Sequence, residues 1–328
     1  MKKTWIIMSA FTLLLAGCWN NYEQASVSTT STGSQTASGA SAAKVKSEEI
    51  GQTLLAGEYD RIYDQTSADF KKELSKKQFH DAVKNSQARV KSWNPNSKLS
   101  LNGSTYETWV DQDGKFGLVA MMNEKGEITG LRFNPLESFV EQDKALTKLT
   151  YRSPFKGDWN VFWGGQNVFA NYHYAIQSQR YAYDLIQIRD GYSYKGDSKK
   201  NESYYMFGQE ILAPEAGIVV HTINDVKDNV PVGVMNEAQP EGNLVVIDHG
   251  NGEFSYLAHL KEGSVTVKTG DRVAKGDTIG LGGNSGNSSE PHLHYQVSDG
   301  SDLFTSKSIR VQWENNLNPV QGDVITAN

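Results

Sequence analysis

From Ser47 the apolar residues recur at helical spacing: Ile50, Leu54, Leu55, Ile62 and Tyr63 fall along one face, which predicts helical structure there. A second helix is marked at its start. Ser75 and Gln78 have the spacing of a capping box, and Phe79, Ala82 and Val83 supply the apolar stripe that follows. Past Pro95 the period shortens to two, through residues 99–101, 106–109, 116–122 and 128–133, with turn pairs Asp113-Gly114 and Lys125-Gly126 between runs. Two helices followed by an antiparallel meander predict a small α+β domain over residues 46–140. His80 lies beside the helical stripe with no metal-type partner nearby, so it reads as a surface or packing residue.

From Tyr205 the pattern changes again, to short apolar runs broken by glycine: residues 218–220, 244–247, 254–257, 265–267 and 278–281. Gly250-Asn251-Gly252 and Thr269-Gly270-Asp271 read as turns, so residues 150–325 are expected to form an all-β domain of antiparallel hairpins. A chain of 328 residues is long for one domain and comfortable for two. Residues 226–241 carry two prolines and no period, the signature of a long loop.

Ahead of both domains, Lys2 and Lys3 precede an apolar stretch at residues 5–15 that is too short to span a bilayer. Leu15-Ala16-Gly17-Cys18 then resembles the lipobox of bacterial lipoproteins. That resemblance implies a signal peptide at residues 1–17 and lipidation of Cys18, which would anchor the chain at the extracellular face of the bacterial cytoplasmic membrane. Residues 18–45, rich in Ser, Thr, Ala, Gly and Gln, read as a flexible tether.

Composition narrows the chemistry. A net charge of −6 leaves no basic stripe for a phosphate backbone, which argues against nucleic acid as a partner. Cys18 is the only cysteine, so there is no intramolecular disulfide, and any metal must be held by His and carboxylates. In Pro291-His292-Leu293-His294-Tyr295 two histidines stand two apart, and on a strand such residues face the same side. Both imidazoles would then point into one cleft, as a metal or catalytic pair requires.

Three further segments accompany that pair: Tyr256-Leu257-Ala258-His259-Leu260, Val267-Lys268-Thr269-Gly270-Asp271-Arg272-Val273-Ala274-Lys275-Gly276, and Ala213-Pro214-Glu215-Ala216-Gly217. Together the series resembles the M23 family of cell-wall metallopeptidases, the lysostaphin-like endopeptidases, in order and spacing from about Trp159 to Val297. The resemblance implies a lysostaphin-like antiparallel sheet, a Zn2+ cofactor, His294 as a zinc ligand, His292 as a catalytic imidazole facing water, and His259 as the other catalytic histidine. It makes Asp184, in Tyr181-Ala182-Tyr183-Asp184-Leu185, the carboxylate ligand. His259 would join the metal in stabilising the oxyanion.

One position departs from the family. Four residues before the Asp the family carries a ligand His, and this chain has Arg180, which stays protonated and offers no acceptor. His173, in Asn171-Tyr172-His173, is the nearest substitute. If residues 174–179 form a loop, it completes a His173, Asp184, His294 set with a fourth position open to water. The implied activity is zinc-dependent cleavage of peptidoglycan stem or cross-bridge peptides. Arg180 leaves open a second reading, a metal-free M23-like domain acting as a wall-binding scaffold or activator. A glycosidase would want paired carboxylates flanking an aromatic cleft, and none stands out near the histidines. His221 and His249 read as structural, and the aromatic stretch 159–169 reads equally as groove lining or core.

Overall fold

The helical pattern after Ser47 resolves into several short pieces rather than two helices. In the computed structural model, which describes residues 43–327, these are Ile50–Leu55, Tyr59–Asp64, Ala68–Glu73 and Lys76–Ser86, after a 3-10 turn at Ser47–Glu49. The breaks have local causes. Gly57, at φ +78°, ends the first, and the Ser67 side chain accepts from Phe70 N to start the third. The Ser75–Gln78 capping box starts the fourth as expected. The signal peptide, Cys18 and nearly all of the tether lie outside the described residues.

Lys44–Asn328 form one compact unit containing two main sheets. The first runs in chain order through Trp93–Leu101, Ser104–Asp111, Phe116–Asn123 and Ile128–Pro135, all antiparallel. Pro95 sits inside the first strand, where an edge position and a bulge between Pro95 and Ser97 remove the need for its missing N–H. One face of this sheet buries Trp93, Trp109, Leu118 and Ile128 against Ile50, Leu54, Ile62 and Phe79 of the helices.

The second sheet has ten strands and a scrambled order. At its centre Leu293–Ser298 pairs with Phe254–Leu260 on one side and Tyr183–Ile186 on the other. Leu293, Tyr295 and Val297 join a core with Trp159, Val245, Leu257 and Trp313. The pleat therefore turns His294, Gln296 and Ser298 to the opposite face, where they are equally buried. A strand expected at residues 265–267 does not form. Val265 N is taken by the Asn224 side chain and Thr266 N by Ile279 O, so these backbone groups are satisfied without a ladder. Trp159 belongs to the core, stacked on Phe155 at 4.6 Å, and not to a groove.

The two sheets meet through Leu99 and Leu101 against Phe162 and Ile186, with Ser97 Oγ donating to Gln321 Oε1 at 3.0 Å. No helix among the described residues is long and apolar enough to cross a membrane.

Candidate metal centre

Strand register assembles the first half of the site. Asp184 and His294 face each other across adjacent strands, with Ala258 beyond. His292 lies just before the same strand. His259 comes in from the other side at a bulge, where Ala258 and His259 together oppose Leu244. Its φ of +60° is unusual for a non-glycine residue, and the strain is held by Nδ1 bonding Ser285 O at 2.8 Å.

The second half comes from a turn. Asn171 accepts from His173 N and opens the 3-10 turn Tyr172–Ala175, which delivers His173 fully buried beside Asp184. The segment after His173 is thus a short turn continuing to Gln179. His173, Asp184 and His294 each offer a ligand atom, all within 4.8 Å of one another.

The neighbours decide the tautomers. His173 Nδ1 lies 2.9 Å from Asn171 Oδ1, whose amide nitrogen is already spent on Gly165, Arg180 and Ala182 carbonyls, so Nδ1 carries the proton. That leaves Nε2 buried with no hydrogen-bond partner, 3.7 Å from Asp184 Oδ2. Gln296 Nε2 donates to Ser178 O and Ser298 Oγ, so its Oε1, 3.0 Å from His294 Nε2, must receive that proton. His294 Nδ1 then presents a lone pair to Asp184 Oδ1 at 3.1 Å. Two acceptors facing each other in a dry site, next to an orphaned ring nitrogen, are what a bound cation reconciles. The donors are nitrogen and oxygen, the ligand type of zinc.

Burial pushes the His173 imidazole down to about 3. Burial, reinforced by the neighbouring His292 and His294, holds His259 well below its ordinary value. For Asp184 burial works the other way, but the facing His173, His292 and His294 outweigh it and hold the carboxyl below the usual range. A neutral His173 and an ionised Asp184 are the ligand forms of these residues.

His292 Nδ1 donates to Glu290 O at 2.8 Å, and its Nε2 stands 3.6 Å from Asp184 Oδ1. The His259 and His292 rings are 4.7 Å apart. Because His259 Nδ1 gives its proton to a carbonyl, the neutral ring turns a lone pair to the cleft. In its resting form it is therefore a base. The cleft is walled by Tyr172, Gln179, Pro240, Glu241, Asn287 and Phe304.

Arg180, at the family's ligand position, takes no part in this cluster. It is buried with its guanidinium 3.3 Å from the Phe139 ring centroid, and its Nε donates to Tyr174 O. His249 bonds Ala216 O and Ser255 Oγ, and His221 is exposed on Gly217–Ile223; neither lines the cleft. The sequence reading passed over Gln296 and Ser285. Gln296 carried a signal, a polar residue two beyond His294 on a buried strand face; Ser285 acts through its carbonyl and carried none.

The geometry is that of a His–Asp–His metal centre on an antiparallel sheet with further imidazoles facing it. Residues 203–305 match the model of Peptidase family M23. His173 and Asp184 precede the matched residues and enter the site by geometry. The chain is 45% identical over 87 residues to the peptidoglycan DD-endopeptidase ShyA of Vibrio cholerae serotype O1, covering 26% of this chain and 19% of that protein. It is 29% identical over 110 residues to the cell division protein DipM of Caulobacter vibrioides, covering 34% and 16%. It thus spans less than a fifth of the length of these relatives. The catalytic domain of lysostaphin from Staphylococcus simulans is 19% identical, with 52% of this chain and 95% of that one covered at a TM-score of 0.26.

Proposed function

We propose that this protein is a zinc-dependent endopeptidase of peptidoglycan stem or cross-bridge peptides, with His173, Asp184 and His294 as ligands and His259 and His292 as catalytic imidazoles. The observation that carries it is the buried, unpartnered Nε2 of His173 beside the opposed acceptors Asp184 Oδ1 and His294 Nδ1. Bound there, zinc supplies Lewis acidity toward water and the scissile carbonyl. His292, its Nδ1 tied to Glu290 O, turns a free Nε2 toward the same space, takes the proton of the attacking water and passes it to the leaving amine. His259, its Nδ1 tied to Ser285 O, turns its Nε2 lone pair to the same space and accepts a hydrogen bond from the attacking water. Tyr172 and Phe304 at the cleft rim offer apolar faces to a peptide.

The metal-free alternative rested on Arg180, and the placement of His173 supports the metallopeptidase instead. The lipobox-like Leu15-Ala16-Gly17-Cys18 supports a lipid anchor at the outer face of the cytoplasmic membrane. Incorporation of labelled fatty acid, abolished in Cys18→Ala, tests that part. The activity is tested by metal analysis and digestion of purified peptidoglycan with the full chain. One zinc per chain, lost in His173→Ala and His294→Ala, with release of free amines, is the expected result. A zinc-free wild type after reconstitution, or release of reducing sugars alone, would overturn the reading.

A further inference from the structure

The three candidate ligands are not held alike. Asp184 and His294 sit opposite each other in a strand ladder with neighbours on both sides. His173 rides on a four-residue 3-10 turn, an element with too few internal hydrogen bonds to keep its own shape. What steadies that turn comes from elsewhere in the chain.

The contacts fall on its far side, away from the cleft. Tyr174, the residue after His173, is fully buried. Its hydroxyl donates to Asp143 Oδ2 at 2.8 Å and accepts from Phe139 N at 3.1 Å. Its carbonyl accepts from Arg180 Nε at 3.0 Å. The Arg180 guanidinium lies 3.3 Å from the Phe139 ring centroid, and the Phe139 and Tyr174 rings are 5.3 Å apart. Asp143 Oδ1 takes a second phenol, Tyr181 OH, at 2.8 Å. Phe139 and Asp143 belong to neither sheet. Phe139 caps the start of the short helix Val140–Lys144 and Asp143 lies within it, in the segment that joins the four-stranded sheet to the ten-stranded one. On the near side, Tyr106 of the four-stranded sheet meets Trp163, Trp163 meets Tyr172, and Tyr172 lies against the His173 ring at 3.9 Å.

We propose that Phe139, Asp143 and Arg180 form a brace that fixes the turn carrying His173, so that the segment joining the two sheets sets how tightly the centre takes its metal. The inference rests on the reading of His173 as a ligand. It also gives Arg180 a purpose: at the position where the family has a ligand, this chain spends the residue on positioning its substitute. A desolvated cation over an aromatic face is among the stronger non-covalent contacts available to a side chain that binds no metal. A ligand left free to move must be ordered at the moment of binding, and that cost appears as lost affinity.

The test is the zinc dissociation constant of the full chain, measured by competition with a chelator, together with the visible absorption of the cobalt(II)-substituted protein. Phe139→Ala and Asp143→Asn are expected to weaken zinc by about ten-fold, the lower end of what residues behind a ligand contribute, and to alter the cobalt band. Arg180→Ala should do the same, with partial recovery in Arg180→Lys, which keeps a cation over Phe139. His173→Ala, measured alongside, should lose the metal altogether. Dissociation constants within two-fold of wild type in both Phe139→Ala and Asp143→Asn, with only a lower melting temperature, would reduce the brace to ordinary packing and overturn the proposal. If Phe139→Ala does not fold, Asp143→Asn decides alone, since it preserves shape and removes only charge and one acceptor. A wild type that binds no zinc would instead sink the ligand reading, and the brace with it.

Discussion

The two sheets of this protein are built on opposite plans. The four-stranded sheet pairs strands in chain order through short turns, so each contact is made with a sequence neighbour. Its core is complete once the helices of residues 47–86 cover one face. The ten-stranded sheet brings together segments far apart in the chain, and the Asp184–His294 contact spans 110 residues. Its central strands are buried along their whole length. The chemistry sits in the second because a dry, two-faced sheet can hold imidazoles whose every hydrogen bond but one is taken, whereas a sheet open on one side would let water satisfy them.

That contrast breaks most readily at His292. His292→Ala should keep its zinc, because the three candidate ligands remain, yet lose about 10²- to 10⁴-fold in hydrolysis, the usual worth of a general acid–base. Metal content and turnover on the same sample check both halves. Next in size are the residues behind the ligands. Asn171→Ala should weaken zinc by about 10- to 100-fold and Gln296→Ala by less, because Asn171 fixes a ring and caps its turn while Gln296 fixes a ring the ladder already holds. Equal losses by chelator competition would remove the distinction between turn-borne and strand-borne ligands.

A smaller effect lies in stability against pH. Glu290 is buried with Oε1 unpartnered, and burial raises its carboxyl from 4.5 to about 8 in the folded protein. The folded state therefore binds a proton that the unfolded chain has already released. Its contribution is whole below pH 4.5 and is lost as pH rises to about 8. Over that window Glu290 should cost on the order of a few kcal/mol. Between pH 5 and 8 the melting temperature of Glu290→Gln should gain on that of the wild type as pH rises; parallel curves would refute the assignment.

The smallest expected change marks the other sheet. Ser75→Ala removes one side of a capping box and should cost about 1 kcal/mol, a shift of about 2–4 °C for a unit of this size. Zinc affinity and hydrolysis should not move. A loss of either would mean that the helical region reaches the site more directly than through the brace.

Much of this was legible along the chain. The capping box at Ser75, the alternation in residues 99–133 and the His-x-His of a buried strand are local patterns, and local patterns determine local structure. His173 could be proposed from the sequence because Arg180 has no lone pair to give, which is a property of the residue and not of its surroundings. The helix that breaks at Gly57 and the strand that fails at residues 265–267 were less readable, since a side chain from elsewhere, Asn224, takes the hydrogen bond a ladder would have used.

By itself, then, the sequence determined which residues were available for chemistry, the all-β character of the second half and the meander of the first. Only the tertiary structure decided that His173 arrives on a turn, that Phe139 and Asp143 stand behind that turn, and which nitrogen of each imidazole faces the cleft. The reason is physical. A tautomer is set by the partner of the other ring nitrogen, and those partners, Asn171, Ser285, Glu290 and Gln296, act through one amide or carbonyl oxygen whose position exists only once the sheet has closed.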